Sequence, residues 1–378
     1  MIPVPRMSKQ TMSLTGGRFL RHALFAFTLS AAGVAGAQEP LRVLFVGNSF
    51  TYGRAPVVRY NNADVVDLNA QNAIDKPLGS EPITPNPWGG VPGIFKAMVD
   101  QAQLATDVRL SLRGGATLRG HLLNTNPAGW DMRANLASAR WDVVVLQGNS
   151  TEAVGRAGGN FCQFSAYVGK LKRFLTLGDA HSYRESQLCP GGSTTLRNIP
   201  ANAKANPQAR LYLYQTWARP DMTYPAGQPY SGEPLETMTA DLGAAYAQAA
   251  LDNGGLAGIV PVGDAFLRAV QEGYAVRDPY LGDPRLIDLW WAEDRFHPGT
   301  HGSYLSALLM FGAITGIDPA SFGVAEKAAS DLGIAPLDAL RLQGVASRTL
   351  SASGHGLASK PCLHAHPISQ GAAACTRE

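Results

Sequence analysis

Two short apolar runs, Leu41-Arg-Val-Leu-Phe-Val46 and Trp141-Asp-Val-Val-Val-Leu146, constrain this 378-residue chain more than any other feature. Neither shows the strict apolar–polar alternation of a strand with one wet face, and each ends at polar residues or glycine, with Gly47 and Gly148 close behind. A continuous run of this length reads as a strand covered on both faces, as in a parallel sheet. Asp107-Val-Arg-Leu-Ser-Leu112, Leu211-Tyr-Leu-Tyr-Gln-Thr216 and Gly258-Ile-Val-Pro-Val-Gly263 add three further strand candidates. Helical spacings lie between and after them. Val91, Ile94, Phe95, Met98, Val99 and Ala102 share one helix face, Asp264 to Glu272 looks helical, and Gly302 to Gly316 carries a long apolar helix pattern. Strands that alternate with helices predict βαβ units, hence an α/β fold with a parallel sheet and helices on both faces. Residues 150–207 interrupt that order with Gly, Cys and polar residues, which predicts an insertion pinned by a disulfide. The main domain is expected to span 38–330, followed by an extension, 331–378, with a weak helix near Leu337 to Leu342.

Residues 1–37 read as a signal peptide. Lys9, Arg18 and Arg21 precede the apolar run that begins at His22-Ala-Leu-Phe, and Ala35-Gly36-Ala37 fits a small-residue cleavage site. The alternative is a retained anchor, for which that run is short. No later segment has the roughly 18 uninterrupted apolar residues of a spanning helix, so no stable membrane insertion is expected and the mature chain should be secreted or periplasmic. Four cysteines, Cys162, Cys189, Cys362 and Cys375, allow three pairings in an exported chain. Proximity in sequence favours Cys162–Cys189 and Cys362–Cys375. His355, His364 and His366 beside Cys362 read either as a metal cluster or as a solvated, glycine-rich tail. A formal net charge of +3, with no basic stripe interleaved with aromatics, argues against a nucleic-acid partner.

Chemistry is concentrated at the strand ends. Gly47-Asn48-Ser49-Phe50-Thr51 directly follows the first strand, where α/β sheets place their binding crevice. Ser49 is there either a nucleophile or a helix N-cap. Asp294-Arg-Phe-His297 lies just ahead of the helix at 302. An Asp three residues before a His can fix the ring's tautomer and orientation and leave its other nitrogen for a nucleophile. The same tetrapeptide could instead form a surface ion pair or a cap.

Taken together, Gly47-Asn-Ser-Phe, Gly115-Ala-Thr, Gln147-Gly-Asn149 and Asp294-x-x-His297 occur in the order of the four signature blocks of the SGNH (GDSL-type) hydrolases, and the chain resembles that superfamily. It looks most like a divergent exported bacterial branch with Gly-Asn-Ser-Phe-Thr as first block. The resemblance implies a flavodoxin-like three-layer fold and an ester hydrolase. It also implies Ser49 as nucleophile, His297 as general base and Asp294 as its orienting carboxylate. The implied oxyanion donors are the backbone N–H groups of Ser49 and Gly115 and the side-chain amide of Asn149. Two departures stand out: Asn48 replaces the usual Asp of the first block, and Gln147 in the third block could compete with Asn149.

No G-x-G-x-x-G after a strand, Walker loop or H-E-x-x-H is present, so no cofactor is expected. His121 could line the cleft or be structural. His301, four residues after His297, could mimic a metal pair, but Pro298 and Gly299 break the helix such a pair requires. Trp290 and Trp291 read equally as a stacking wall for sugars or as core. The expected substrate is an O-acyl carbohydrate, polysaccharide or small ester. The other readings are a lipase or polyester hydrolase, and a catalytically silent carbohydrate-binding protein of the same fold. Oligomeric state is not legible.

Overall fold

The apolar runs become the centre of a six-stranded parallel sheet. The computed structural model describes residues 39–53, 65–68, 89–124 and 131–358. The predicted leader (1–37), the Cys362–Cys375 pair, and His364 and His366 therefore lie outside the described residues. The sheet contains β1 (Leu41–Gly47), β2 (Val65–Asp67), β3 (Thr106–Leu112), β4 (Val143–Leu146), β7 (Arg210–Tyr214) and β8 (Gly258–Val260). Their order across the sheet is β2-β3-β1-β4-β7-β8, and every pairing is parallel. Val43 to Val46 and all of β4 are buried, as expected of strands covered on both faces.

Without the edge strand β2, this is the flavodoxin order, which reverses direction at β1. From β1 the chain passes through the edge strand β2 and helix Gly90–Gln101 and arrives at β3 on one side. From β3 it crosses to β4 on the other side and then continues outward to β7 and β8. Right-handed crossovers therefore send the helices to opposite faces. Helices Gly90–Gln101, Thr300–Thr315 and Pro336–Ala352 pack together in one layer, and Leu118–Leu123, Phe161–Thr176 and Leu235–Asn253 in the other. The result is a three-layer α/β fold of the flavodoxin type.

Several boundaries differ from the sequence reading. The strand expected to run to Gly263 stops at Val260, because Pro261 has no N–H for a ladder and stands at the start of helix Val262–Gln271. The weak helix near 337–342 is a 17-residue helix, Pro336–Ala352. Its buried face, which includes Leu342, Val345, Ala346 and Leu350, covers helix Thr300–Thr315. In the 150–207 segment, helix Phe161–Thr176 is the β4-to-β7 crossover itself. What is added to the βαβ order is the antiparallel hairpin of β5 (His181–Arg184) and β6 (Leu196–Ile199).

The hairpin is held at one buried carboxylate. Glu185, 2% exposed, accepts from Arg119 Nη2 (3.0 Å), Arg197 Nη2 (2.7 Å) and the Tyr167 hydroxyl (2.8 Å). The Arg119 guanidinium, despite the opposing effect of burial, holds the Glu185 carboxyl down at about 2, with Tyr167 and Arg197 adding to it. Nearby, Cys162 and Cys189 stand paired with Cα atoms 5.7 Å apart, joining the crossover helix to the loop after Glu185. A cross-link over a loop of this size typically contributes about 2–4 kcal/mol. Replacing both cysteines with serine should lower the denaturant-measured unfolding free energy by about that amount. Mass spectrometry of non-reduced peptides should find 162 and 189 linked.

Candidate active site

The site begins with the turn at the end of β1. Asn48 caps helix Ser49–Tyr52 by accepting from the Phe50 N–H (3.1 Å). Its amide donates to the Ala116 and Gly148 carbonyls, both at 3.0 Å, and so links the turns after β1, β3 and β4. The Asn48 N–H and the Thr51 hydroxyl both bond to Gln147 Oε1, at 3.0 and 2.9 Å. Gly47 is an ordinary residue of β1; a Cβ there would lie 2.7 Å from Gln147 Oε1 and 2.8 Å from Thr51 Oγ1. Glycine is needed at 47 for this close approach. Beneath the same turn, His121 is fully buried and its Nε2 lies 3.0 Å from the Gly47 carbonyl. Only a protonated nitrogen can bond a carbonyl, so Nε2 carries the ring's hydrogen. Burial, with a smaller contribution from Arg113, lowers the His121 pKa to about 4 against the opposing Gly47 bond. His121 thus supports the turn as a neutral ring and does not line the cleft.

The structure brings Ser49, His297 and Asp294 together. His297 Nε2 lies 2.7 Å from Ser49 Oγ, and His297 Nδ1 lies 2.7 Å from Asp294 Oδ2. A carboxylate only accepts, so Nδ1 holds the proton and the Nε2 lone pair faces the hydroxyl. The other Asp294 oxygen, Oδ1, accepts from the N–H groups of Phe296 (3.1 Å) and His297 (3.0 Å). Arg295, between Asp294 and Phe296, takes φ 61°, the left-handed conformation that folds this segment back on the carboxylate. Burial raises the Asp294 pKa, but the His297 ring and the two N–H groups outweigh it, and the net shift is downward. Asp294 is therefore held as carboxylate. His297 is 2% exposed, whereas Ser49 is only half-buried and open to a reactant.

An aromatic column backs the imidazole. Phe50 stacks on Trp217 at 4.4 Å, and Trp217 on Phe266 at 4.5 Å. The edge of the pair Phe50–His297 closes at 5.4 Å, and Phe296 meets the His297 ring at 4.1 Å. Trp217 Nε1 donates to the Phe296 carbonyl (3.0 Å), which ties the column to the histidine loop. Trp217 and Phe266 were not selected from the sequence. The feature that could have found them is the position of Trp217, three residues past the end of β7, on the strand-end side where the other site residues cluster.

The remaining residues separate clearly. Gly115 takes φ 67°, which favours glycine, and a Cβ there would meet nothing within 4 Å. Asn149 Nδ2 is 3.4 Å from the Gly115 carbonyl, which sets the two side by side. Among the described residues, the N–H groups of Ser49 and Gly115 have no hydrogen-bond acceptor. Gln147 is fully buried and its amide is spent on Asn48, Thr51 and Gly148, which removes it as a competitor of Asn149. Trp290 is core, 3% exposed and edge-on to Phe266 at 5.9 Å, while Trp291 is half-exposed. Both His297 nitrogens are engaged, by Asp294 and by Ser49. Among the described residues, no cluster of three His, Cys, Asp or Glu could hold a metal ion, and no helix is long and apolar enough to cross a membrane.

No protein-family model and no curated protein matches the chain. Solved structures do. A candidate SGNH hydrolase from Slackia heliotrinireducens aligns at 21% identity and TM-score 0.41, over 73% of this chain and 100% of that one. A DUF4886 family protein from Bacteroides uniformis aligns at 15% identity and TM-score 0.46, over 85% and 98% of the respective chains. A mutant acetyl-xylooligosaccharide esterase from Geobacillus aligns at 13% identity and TM-score 0.37, over 79% and 96%. The chain is similar to each of these in structure.

Proposed function

We propose that the chain is an exported serine ester hydrolase that acts on O-acyl groups of carbohydrates or on small esters. The observation that carries this reading is the unbroken Ser49–His297–Asp294 hydrogen-bond chain, 2.7 Å at both links, at the end of β1. In this reading Ser49 Oγ attacks the ester carbonyl carbon as its proton passes to His297 Nε2. The carbonyl oxygen becomes an oxyanion facing the N–H groups of Ser49 and Gly115 and the Asn149 amide. Collapse expels the alcohol, which takes the proton back from His297 and leaves an acyl group on Ser49. Water, deprotonated by His297, then releases the acid and restores the serine. Asp294 keeps the ring in the tautomer that accepts from Ser49 and stabilises the imidazolium formed in each half. Export is supported by the composition of residues 1–37 and by the cysteine pair.

Hydrolysis of p-nitrophenyl esters from acetate to laurate by the purified protein tests the activity. A preference for acetate fits an acetylesterase; a preference for laurate would replace that with a lipase. Ser49→Ala should reduce kcat/KM by at least about a thousandfold, and Asp294→Asn by about a thousand- to ten-thousandfold with the fold intact. Full activity in Ser49→Ala would end the reading.

Asn149→Ala should lower kcat by about a hundredfold or more while KM moves little, because an oxyanion donor acts mainly in the transition state. An equal rise in KM with kcat unchanged would instead make Asn149 a ground-state contact.

The pH–rate profile has a defined sign. The base must be neutral, so kcat/KM should fall as pH drops through the range in which imidazoles protonate, about 6–7. Asp294, with its pKa depressed, stays ionised across that range and contributes no second limb there.

A further inference from the structure

Glu152 has no role in the reaction above, yet it is buried, 8% exposed, at the junction of the Asn149 and Gly115 turns. One oxygen, Oε2, accepts from the Asn149 N–H (2.9 Å) and from the Leu118 N–H (3.2 Å). The Arg119 N–H bonds the same carboxylate. Asn149 and Leu118 belong to different crossovers, after β4 and after β3, and Leu118 lies three residues beyond Gly115. The side chain of Arg119 turns away to Glu185, so the carboxylate is held by backbone donors.

From this geometry we infer that Glu152 is a positioning residue: its carboxylate bolts the Asn149 turn to the Gly115 turn and thereby sets the spacing of the two oxyanion donors. Asn48 performs the equivalent link from the nucleophile side, through the Ala116 and Gly148 carbonyls. The two links differ in kind. Asn48 joins the turns with a neutral amide, whereas Glu152 joins them with an ionisable group. Burial raises the Glu152 pKa to about 7, against the lowering effect of the Asn149, Leu118 and Arg119 N–H groups. Tyr246, from helix Leu235–Asn253, is the titratable side chain that interacts with it, and burial keeps that phenol protonated far above neutrality. A protonated Glu152 would place an O–H among N–H donors. The link is therefore strongest above about pH 7 and loosens as pH falls through it.

The test compares the full-length protein with Glu152→Ala and Glu152→Gln on p-nitrophenyl acetate from pH 5 to 9. A displacement of about 1 Å at an oxyanion donor can cost about a hundredfold. Glu152→Ala should thus lower kcat by about ten- to a hundredfold with KM nearly unchanged. The Gln oxygen can still accept from both Asn149 and Leu118, so Glu152→Gln should recover most of that loss. It should also lack the part of the acid limb that Glu152 contributes. Wild-type kcat in Glu152→Ala, or equal loss of kcat and thermal midpoint in both variants, would overturn the proposal. The kinetic arm rests on the ester-hydrolase reading; a second arm does not. Backbone amide NMR of the wild type should show Asn149, Leu118 and Arg119 shifting together through about pH 7, and Glu152→Gln should abolish this. Wild type inactive on every ester but with this shared titration would sink the hydrolase reading and leave the link standing. Amides that do not titrate together would sink the link.

Discussion

Everything at the site hangs on the buried side-chain amide of Asn48. It is 2% exposed, and its two donated bonds run to carbonyls on two other chain crossings. Each such bond contributes only about 1 kcal/mol net, but a buried partner left without one loses its full desolvation cost. The aspartate more usual in this block of the SGNH pattern could not serve in this arrangement. The carboxylate oxygen in place of Nδ2 would face both the Ala116 and the Gly148 carbonyl oxygens at 3.0 Å, acceptor against acceptor. Gln147 completes the framework by accepting from both Asn48 and Thr51. The two departures from the common pattern, at 48 and 147, thus support one another. They form a neutral network of amides that fixes the Ser49 turn to the turn after β4.

How much of this was legible depended on whether the cause was local. The central strands showed because burial on both faces leaves an uninterrupted apolar run, as at Val43–Val46 and Val143–Leu146. Helix Thr300–Thr315 showed because it is apolar all round and sits between other helices. Asp294 and His297 showed because their contact closes over three residues. Strand ends did not show: Leu211 to Thr216 looked uniform, although the ladder stops at Tyr214. The three residues of β2 were too few to form a pattern. Gly115 showed only through the resemblance, because the positive φ that favours glycine there is a backbone property no local pattern reports.

What stayed hidden are contacts between residues far apart in the chain. The Phe50–Trp217–Phe266 stack, the Arg119–Glu185–Arg197 ion cluster and the Glu152 link each join crossovers that no local window spans. Even the adjacent Trp290 and Trp291 divide only in three dimensions, one sealed against Phe266 and the other half-exposed. Periodicity reports which face of an element is covered, but not what covers it.

The separation of Ser49 from His297 also bears on how the chain comes into being. Ser49 and His297 are 248 positions apart, and the ring is held by a loop that leads straight into helix Thr300–Thr315. Domains are synthesised from the N-terminus, and contacts this distant in sequence are slow to close. Through most of translation the hydroxyl at 49 has no imidazole beside it. The loop that holds the ring leads into helix Thr300–Thr315, which packs against helix Gly90–Gln101. The Ser49–His297 contact thus cannot close until residue 297, in the last third of the chain, has been made.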